Sequence, residues 1–223
     1  ENLKVERVVI CRQGKESLNY EKFKEIAKKK KIKVSVVKNG DEINIEKYIK
    51  LKILWPSIEQ IEENILNNNS VVAKLNYRDF SILFTGDIEE IAEKQILEEY
   101  KNNLQVLKST ILKVGHHGSK TSSTKEFLEA VKPKIALIGV GENNTFGHPS
   151  ENVLERLKSL GAQIYRTDIC GEIELVVNEK NQIDKFATKN IQKHRKDVIL
   201  YLHKPHPNNI LKEYQIKKIL KEL

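Results

Sequence analysis

Three histidines and one carboxylate stand where this chain could do chemistry. His116 and His117 follow the run Thr110-Ile111-Leu112-Lys113-Val114, in the string Gly115-His116-His117-Gly118-Ser119. His148 stands in Gly147-His148-Pro149-Ser150, beyond the apolar run from Lys134 to Val140. Asp87 closes a run of its own in Phe84-Thr85-Gly86-Asp87. In layered α/β folds the loops beyond strand C-termini form the ligand-binding edge. Three successive strand–helix junctions therefore each bring one or two donors to one edge. Imidazole nitrogen with carboxylate oxygen suits Zn, Mn or Fe, and no cysteine is required. Glycines at 86, 115, 118, 141 and 147 let backbone come close to a metal or an anion. Each residue also has a plainer role: Asp87 as a helix N-cap, His117 as a solvent-exposed side chain, His148 as a loop residue bonding backbone. His194, His203 and His206 lie in the basic C-terminal part and receive no catalytic role.

The elements that would hold these residues alternate between strand and helix. Arg7 to Cys11 and Lys33 to Val37 read as strands. Between them Tyr20, Phe23, Ile26 and Ala27 recur on one helical face. Asn39-Gly40-Asp41 stops the second strand, and Leu51 to Trp55 forms the next, ending at Pro56. A short helix is predicted around Ile58, Ile61 and Ile65. Ser70 to Leu75 and Phe80 to Thr85 predict a hairpin turning near Tyr77-Arg78-Asp79, without the usual glycine. Asp87 with Glu90, and Ser123 with Glu126, have capping-box spacing. Ser150 opens a helix with Val153, Leu154, Leu157 and Leu160 on its apolar side, closed by Gly161. Ile135-Ala136-Leu137-Ile138 is apolar throughout, as a strand buried on both faces should be. Gln163 to Arg166 and Glu172 to Val177 predict a closing hairpin. The whole reads as a layered α/β domain over residues 1–177, with a basic and helical C-terminal extension over 178–223. Helices are predicted there at Ile183 to Leu202 and at Ile210 to Leu223.

Composition narrows the classes. The chain has 223 residues, net charge +8, and 39% apolar residues, which is globular and not disordered. No apolar run reaches the roughly 18 residues that a membrane-spanning helix needs. Two cysteines far apart, Cys11 and Cys170, exclude a zinc ribbon or a thioredoxin motif; reduced core thiols are preferred to a disulfide. Residues 178–223 carry 11 Lys and Arg against 5 Asp and Glu, so most of the net positive charge sits at the C-terminal end. That end either attracts nucleic acid or an anionic membrane surface, or is a solvated lysine-rich stretch.

The ordered strings carry more than their parts. Leu83-Phe84-Thr85-Gly86-Asp87-Ile88-Glu89 comes first, followed by Leu112 through Ser122 with its Gly-His-His-Gly-Ser, then Gly141 through Ser150. Arg166-Thr167-Asp168 and Gly171 follow. This series resembles the metallo-β-lactamase-fold domain of ComEC-type competence proteins, which import DNA, and of their stand-alone relatives. The resemblance is strong from about Ser70 to Val177, weaker from Arg7 to Trp55, and does not reach the C-terminal extension.

The resemblance implies an αββα sandwich holding one or two divalent metals, Zn or Mn. It makes Asp87 a metal-bridging carboxylate and puts a metal-binding histidine at the Gly115-His116 step. His116 is preferred there, with His117 left open. It sets His148 beside the metal to hold substrate or a leaving group, and lets Ser119 meet an anionic oxygen. Asp168 would bond a ligand histidine through its other ring nitrogen. The family's first metal motif, HxHxDH, is absent. The chain contains no methionine and opens about where that motif would end, so a segment of a longer protein is expected, with a degenerate copy as the alternative. The implied activity is a metal-dependent phosphodiesterase or nuclease on DNA. A hydrolase of small esters, lactones or phosphoesters, and a non-catalytic DNA- or protein-binding module, are the rivals. A ComEC-type parent would add a membrane channel portion as partner and tether the domain to a membrane; a stand-alone relative would be soluble.

Overall fold

A computed structural model describes residues 5–12, 17–178, 183–188 and 198–202. The chain runs β1 (Arg7–Cys11), α1 (Leu18–Lys29), β2 (Lys33–Val37), β3 (Glu42–Glu46), β4 (Ile49–Trp55), α2 (Ile65–Asn68), β5 (Val72–Tyr77) and β6 (Phe80–Phe84). It continues through α3 (Glu90–Glu99), β7 (Ile111–Lys113), α4 (Lys125–Val131), β8 (Ile135–Ile138), α5 (Glu151–Ser159) and β9 (Gln163–Arg166). Then come α6 (Thr167–Cys170), β10 (Glu172–Val177), β11 (Ile183–Thr188) and β12 (Val198–Leu202).

One sheet of seven strands, in the order β3-β4-β5-β6-β7-β8-β9, organises the molecule. Its first four strands are antiparallel neighbours, and β6 to β9 are parallel. Parallel neighbours need crossovers, and α3, α4 and α5 provide them in turn. Period-two alternation divides the side chains of the parallel strands between two cores. Leu83, Leu112, Ala136 and Ile138 pack with Ile88, Ile96, Phe127, Leu128, Val153 and Leu157 on the helical side. Ile82, Phe84, Ile111 and Leu137 pack on the opposite side with Val37, Ile173, Leu175 and Val177. That second layer consists of the parallel pair β1-β2, joined through α1, and the sheet β11-β10-β12. The result is a mixed α/β sandwich with two β layers, the architecture that the sequence resemblance implies.

Several local expectations give way. The predicted helix around Ile58 to Ile65 shrinks to α2, because side-chain amides hold the segment as a loop. Asn69 accepts from the Ile61 N–H and donates to the Ile61 and Ile65 carbonyls. The hairpin β5-β6 turns through Arg78, which takes φ +52 without being glycine. Strand β3 is additional to the expected elements. Asp87 does not cap α3; Glu89 holds that position. Ser123 yields to Thr124, whose hydroxyl accepts from Phe127 N–H at 3.4 Å. The predicted closing hairpin does not form: β9 belongs to the large sheet and β10 to the small one, with α6 carrying the chain across. Thr167 fixes that crossing, accepting from Val140 N–H at 2.7 Å and donating to Val140 O at 2.8 Å.

Where residues are described within the helix predicted from Ile183 to Leu202, they form strands instead. β11 pairs antiparallel and β12 parallel with β10, so both edges of β10 are covered. Val198-Ile199-Leu200-Tyr201-Leu202 is β-branched and aromatic enough to favour that outcome. The helix expected at Ile210 to Leu223 lies outside the described residues. Cys11 and Cys170 both border the second core without a disulfide between them.

Candidate active site

The loops leaving β6, β7 and β8 lie side by side and are stitched to one another through backbone groups. Thr85 donates its hydroxyl to Lys113 O at 2.7 Å, His116 N–H bonds Gly86 O at 3.0 Å, and Ser150 N–H bonds Gly118 O at 2.9 Å. Two glycines make these approaches possible. Gly86 has φ +53, and a Cβ there would lie 2.6 Å from Ser70 Cβ. Gly118 has φ +82, and a Cβ would lie 2.5 Å from Pro149 Cβ. The far end of the histidine loop is tied to α3 by buried Glu93, which accepts from Thr124 N–H at 2.8 Å and Thr124 Oγ1 at 2.7 Å. Burial raises the Glu93 carboxyl above the ordinary glutamate value despite those donors.

Within that frame His116 and His117 both take left-handed backbone, at φ +44 and +54. Such non-glycine residues cost about 1–3 kcal/mol each and persist where the surroundings over-determine them. The consequence is that the two imidazoles diverge. His117 Nδ1 lies 2.6 Å from Gly139 O. If Nδ1 carries the proton and donates it there, Nε2 keeps its lone pair toward Asp87, whose Oδ1 is 3.6 Å away. His116 turns the other way. Its Nδ1 lies 3.2 Å from Glu89 Oε1, off the line of a hydrogen bond, and its ring meets His148 edge-on at 5.7 Å.

Asp87 Oδ1 and His117 Nε2 suit two donors of one metal ion. Bonds of about 2.0–2.2 Å in a tetrahedral site would place donors roughly 3.4 Å apart. Both side chains are open to solvent, 39% and 49% exposed. Among the described residues no group of three or more His, Cys, Asp or Glu converges on such a point. The described residues thus supply a matched pair, and a complete coordination sphere needs further donors.

Charge around the pair is specific. Lys113, on β7, is buried with its ammonium 3.2 Å from Val114 O. Burial draws its pKa below the ordinary lysine value while the Asp87 carboxylate pulls the other way. Glu89 is pushed up by burial, but hydrogen bonds from Asn64 and Thr121, with His116 alongside, hold it below the ordinary carboxyl value. His148 is lowered by burial first, then by His116 and His117, with Asp87 opposing. Asn144 fixes the His148 loop from both sides, accepting from His148 N–H at 2.9 Å and donating to His148 O at 2.8 Å.

The structure therefore brings Asp87, His116, His117 and His148 together. Ser119 is only 5% exposed and bonds Thr121 Oγ1 at 3.0 Å, so its hydroxyl serves the loop itself. Asp168 departs from expectation. Its carboxylate takes a two-pronged bond from Arg166, at 3.1 and 2.6 Å, while the Gly139 carbonyl contacts His117. Lys113, Glu89 and Asn144 are not among the residues the sequence singles out. A lysine inside the otherwise apolar Ile111-Leu112-Lys113-Val114 was a readable signal; the other two depend on contacts between loops.

No family model matches the chain. It is similar to ComE operon protein 3 of Bacillus subtilis (strain 168), 33% identical over 184 residues, which is 82% of this chain and 23% of that protein. Competence protein ComA of Neisseria gonorrhoeae is 36% identical over 108 residues, 48% of this chain and 15% of its own. The uncharacterized protein YcaI of Escherichia coli (strain K12) is 40% identical over 97 residues, 44% of this chain and 12% of its own. The chain thus spans less than a quarter of each of these relatives. Among solved structures, the diiron β-hydroxylase CmlA of Streptomyces venezuelae matches with TM-score 0.46 at 10% identity, over 72% of this chain and 38% of that one. A chain of Parabacteroides distasonis, provisionally titled a metal-dependent hydrolase, matches with TM-score 0.44 at 18% identity, over 74% and 77%. At these scores neither likeness bears on the site's chemistry.

Proposed function

Starting from a chain that is homologous to a segment of ComEC-type competence proteins, we propose that it is the metal-dependent phosphodiesterase domain of a DNA-uptake protein. The reading is carried by one observation: Asp87 Oδ1 and His117 Nε2 stand 3.6 Å apart, with His117 Nδ1 held at the Gly139 carbonyl. Those two side chains would hold the metal, with His117 in place of the preferred His116. Zn or Mn bound there would supply a water of lowered pKa and a Lewis acid for a phosphoryl oxygen.

The rest of the work falls to the chain's own groups. Lys113 is buried, which draws its amine toward the neutral form, and it senses the Asp87 carboxylate, which draws it toward the charged one. His148 is shifted toward its neutral form, so near neutral pH it can accept a proton, or pass one on to a leaving oxygen. Asn144 sets its position. Glu89 and His148 bracket His116, which orients the loop.

On this reading DNA is the substrate, and a membrane channel elsewhere in a longer polypeptide is the partner; both rest on the motif resemblance, and the name of one relative, Competence protein ComA, is in keeping with it. No helix of the described residues is long and apolar enough to cross a membrane. The assay uses the longest native polypeptide that contains this sequence, with labelled single-stranded DNA, bis(p-nitrophenyl) phosphate, and a p-nitrophenyl carboxylic ester. Mn- or Zn-dependent cleavage of the two phosphodiesters is expected, lost with chelator and in Asp87→Ala and His117→Ala. Cleavage of the ester alone would replace this reading with a small-molecule hydrolase. The rival reading is a non-catalytic binding module. DNA binding with no cleavage under either metal would establish it.

A further inference from the structure

Phe146 lies on the rim of the site with 81% of its surface exposed. Aromatic rings are costly to leave in water unless something covers them. One face of this ring stacks on the His148 imidazole, with centroids 5.9 Å apart and planes 20° apart. His148 in turn meets His116 edge-on, and His116 precedes His117, which faces Asp87. A line of rings thus leads from the Asp87–His117 pair to a flat, open aromatic face. The line is held in place, because the Asn144 clamp on His148 fixes the loop that carries Phe146. Lys120, exposed on the histidine loop, adds positive charge to the same edge.

Resting on the phosphodiester reading above, we propose that the open face of Phe146 is a stacking platform for an unpaired nucleobase of single-stranded DNA, with a phosphate of the same strand at the metal that Asp87 and His117 would hold. Stacking accepts every base, since each has a π face, so the platform confers preference for single strands without sequence preference. In a duplex the base faces are already stacked on one another. A small aliphatic ester or lactone has no aromatic face to place there.

The test measures binding of fluorescent dodecamers at fixed salt, since phosphate contacts alone vary with ionic strength. One is oligothymidylate and the other has the same phosphates with abasic sugars. Each is titrated with wild type, Phe146→Ala and Phe146→Trp. The expected result is a preference of wild type for oligothymidylate over the abasic strand. Phe146→Ala should lose that preference, with a drop on the order of ten-fold, and leave abasic binding unchanged. Phe146→Trp should retain it. Unchanged oligothymidylate binding by Phe146→Ala would overturn the platform and leave the phosphodiester reading standing. An equal drop for both strands in Phe146→Ala would also overturn it, because the loss would not concern bases. Failure of wild type to bind either strand would remove the platform and the nucleic-acid reading together.

Discussion

His148 is the residue whose environment makes the sharpest solution prediction. Burial, His116 and His117 lower its pKa, and Asp87 alone opposes them. Its NMR titration should therefore have a midpoint below the ordinary histidine value of about 6.5. The sign for stability follows. Between the lowered folded value and about 6.5 the unfolded chain binds the proton more tightly, so acidification through that window weakens folding. In Asp87→Ala the midpoint should fall further, because the raising influence is gone. A midpoint at or above about 6.5 in wild type would contradict the described surroundings. At this scale the sequence was informative about which residues meet. The Thr85-Gly86-Asp87, Gly115-His116-His117-Gly118 and Gly147-His148-Pro149 strings do converge. Their orientations were not legible. Which imidazole faces Asp87 depends on two successive left-handed residues and on a carbonyl, Gly139 O, contributed by another loop. Asp168 was assigned to a histidine because nothing in the chain order shows that Arg166, two residues away, captures it.

The three loops act as one element because glycine permits their contact. Gly86→Ala and Gly118→Ala each add a Cβ into occupied space at a positive φ, so each should cost about 2–3 kcal/mol in urea unfolding. Gly161 also has positive φ, +73, but nothing lies within 4 Å of a Cβ there. Gly161→Ala should cost only the backbone part, about 1 kcal/mol. Equal costs at all three positions would mean that loop contact contributes nothing. Elements with strong local signals were legible: the all-apolar β8, the amphipathic α5, and the strand β4 stopped by Pro56. The errors fell where tertiary contacts decide. Asn69 side-chain bonds override the helical spacing of Ile58, Ile61 and Ile65, and Thr167 redirects the chain that was expected to turn back as a hairpin.

For the whole molecule, the sandwich depends on β10 being covered at both edges. The large sheet buries one face under α3 to α5 and the other under the small sheets, to which β10 contributes Ile173, Leu175 and Val177, all nearly fully buried. A chain ending at Asn178 would keep these residues but expose both edges of β10 for pairing with other chains. It should melt at lower temperature and aggregate on heating, and an unchanged melting temperature would show that β11 and β12 add nothing. The boundary expected near residue 177 rests on charge, on the fading strand–helix pattern and on the end of the resemblance, whereas the pairing partners of β10 lie beyond it in sequence. On the proposed function, the whole assembly of loops presents His117, with Asp87, to a metal. The most direct measurement is the Zn or Mn content of the longest native polypeptide containing this sequence, after equilibration and desalting. Wild type and His116→Ala should retain metal, and His117→Ala and Asp87→Ala should lose it. Loss in His116→Ala with retention in His117→Ala would mean that His116, not His117, binds the metal.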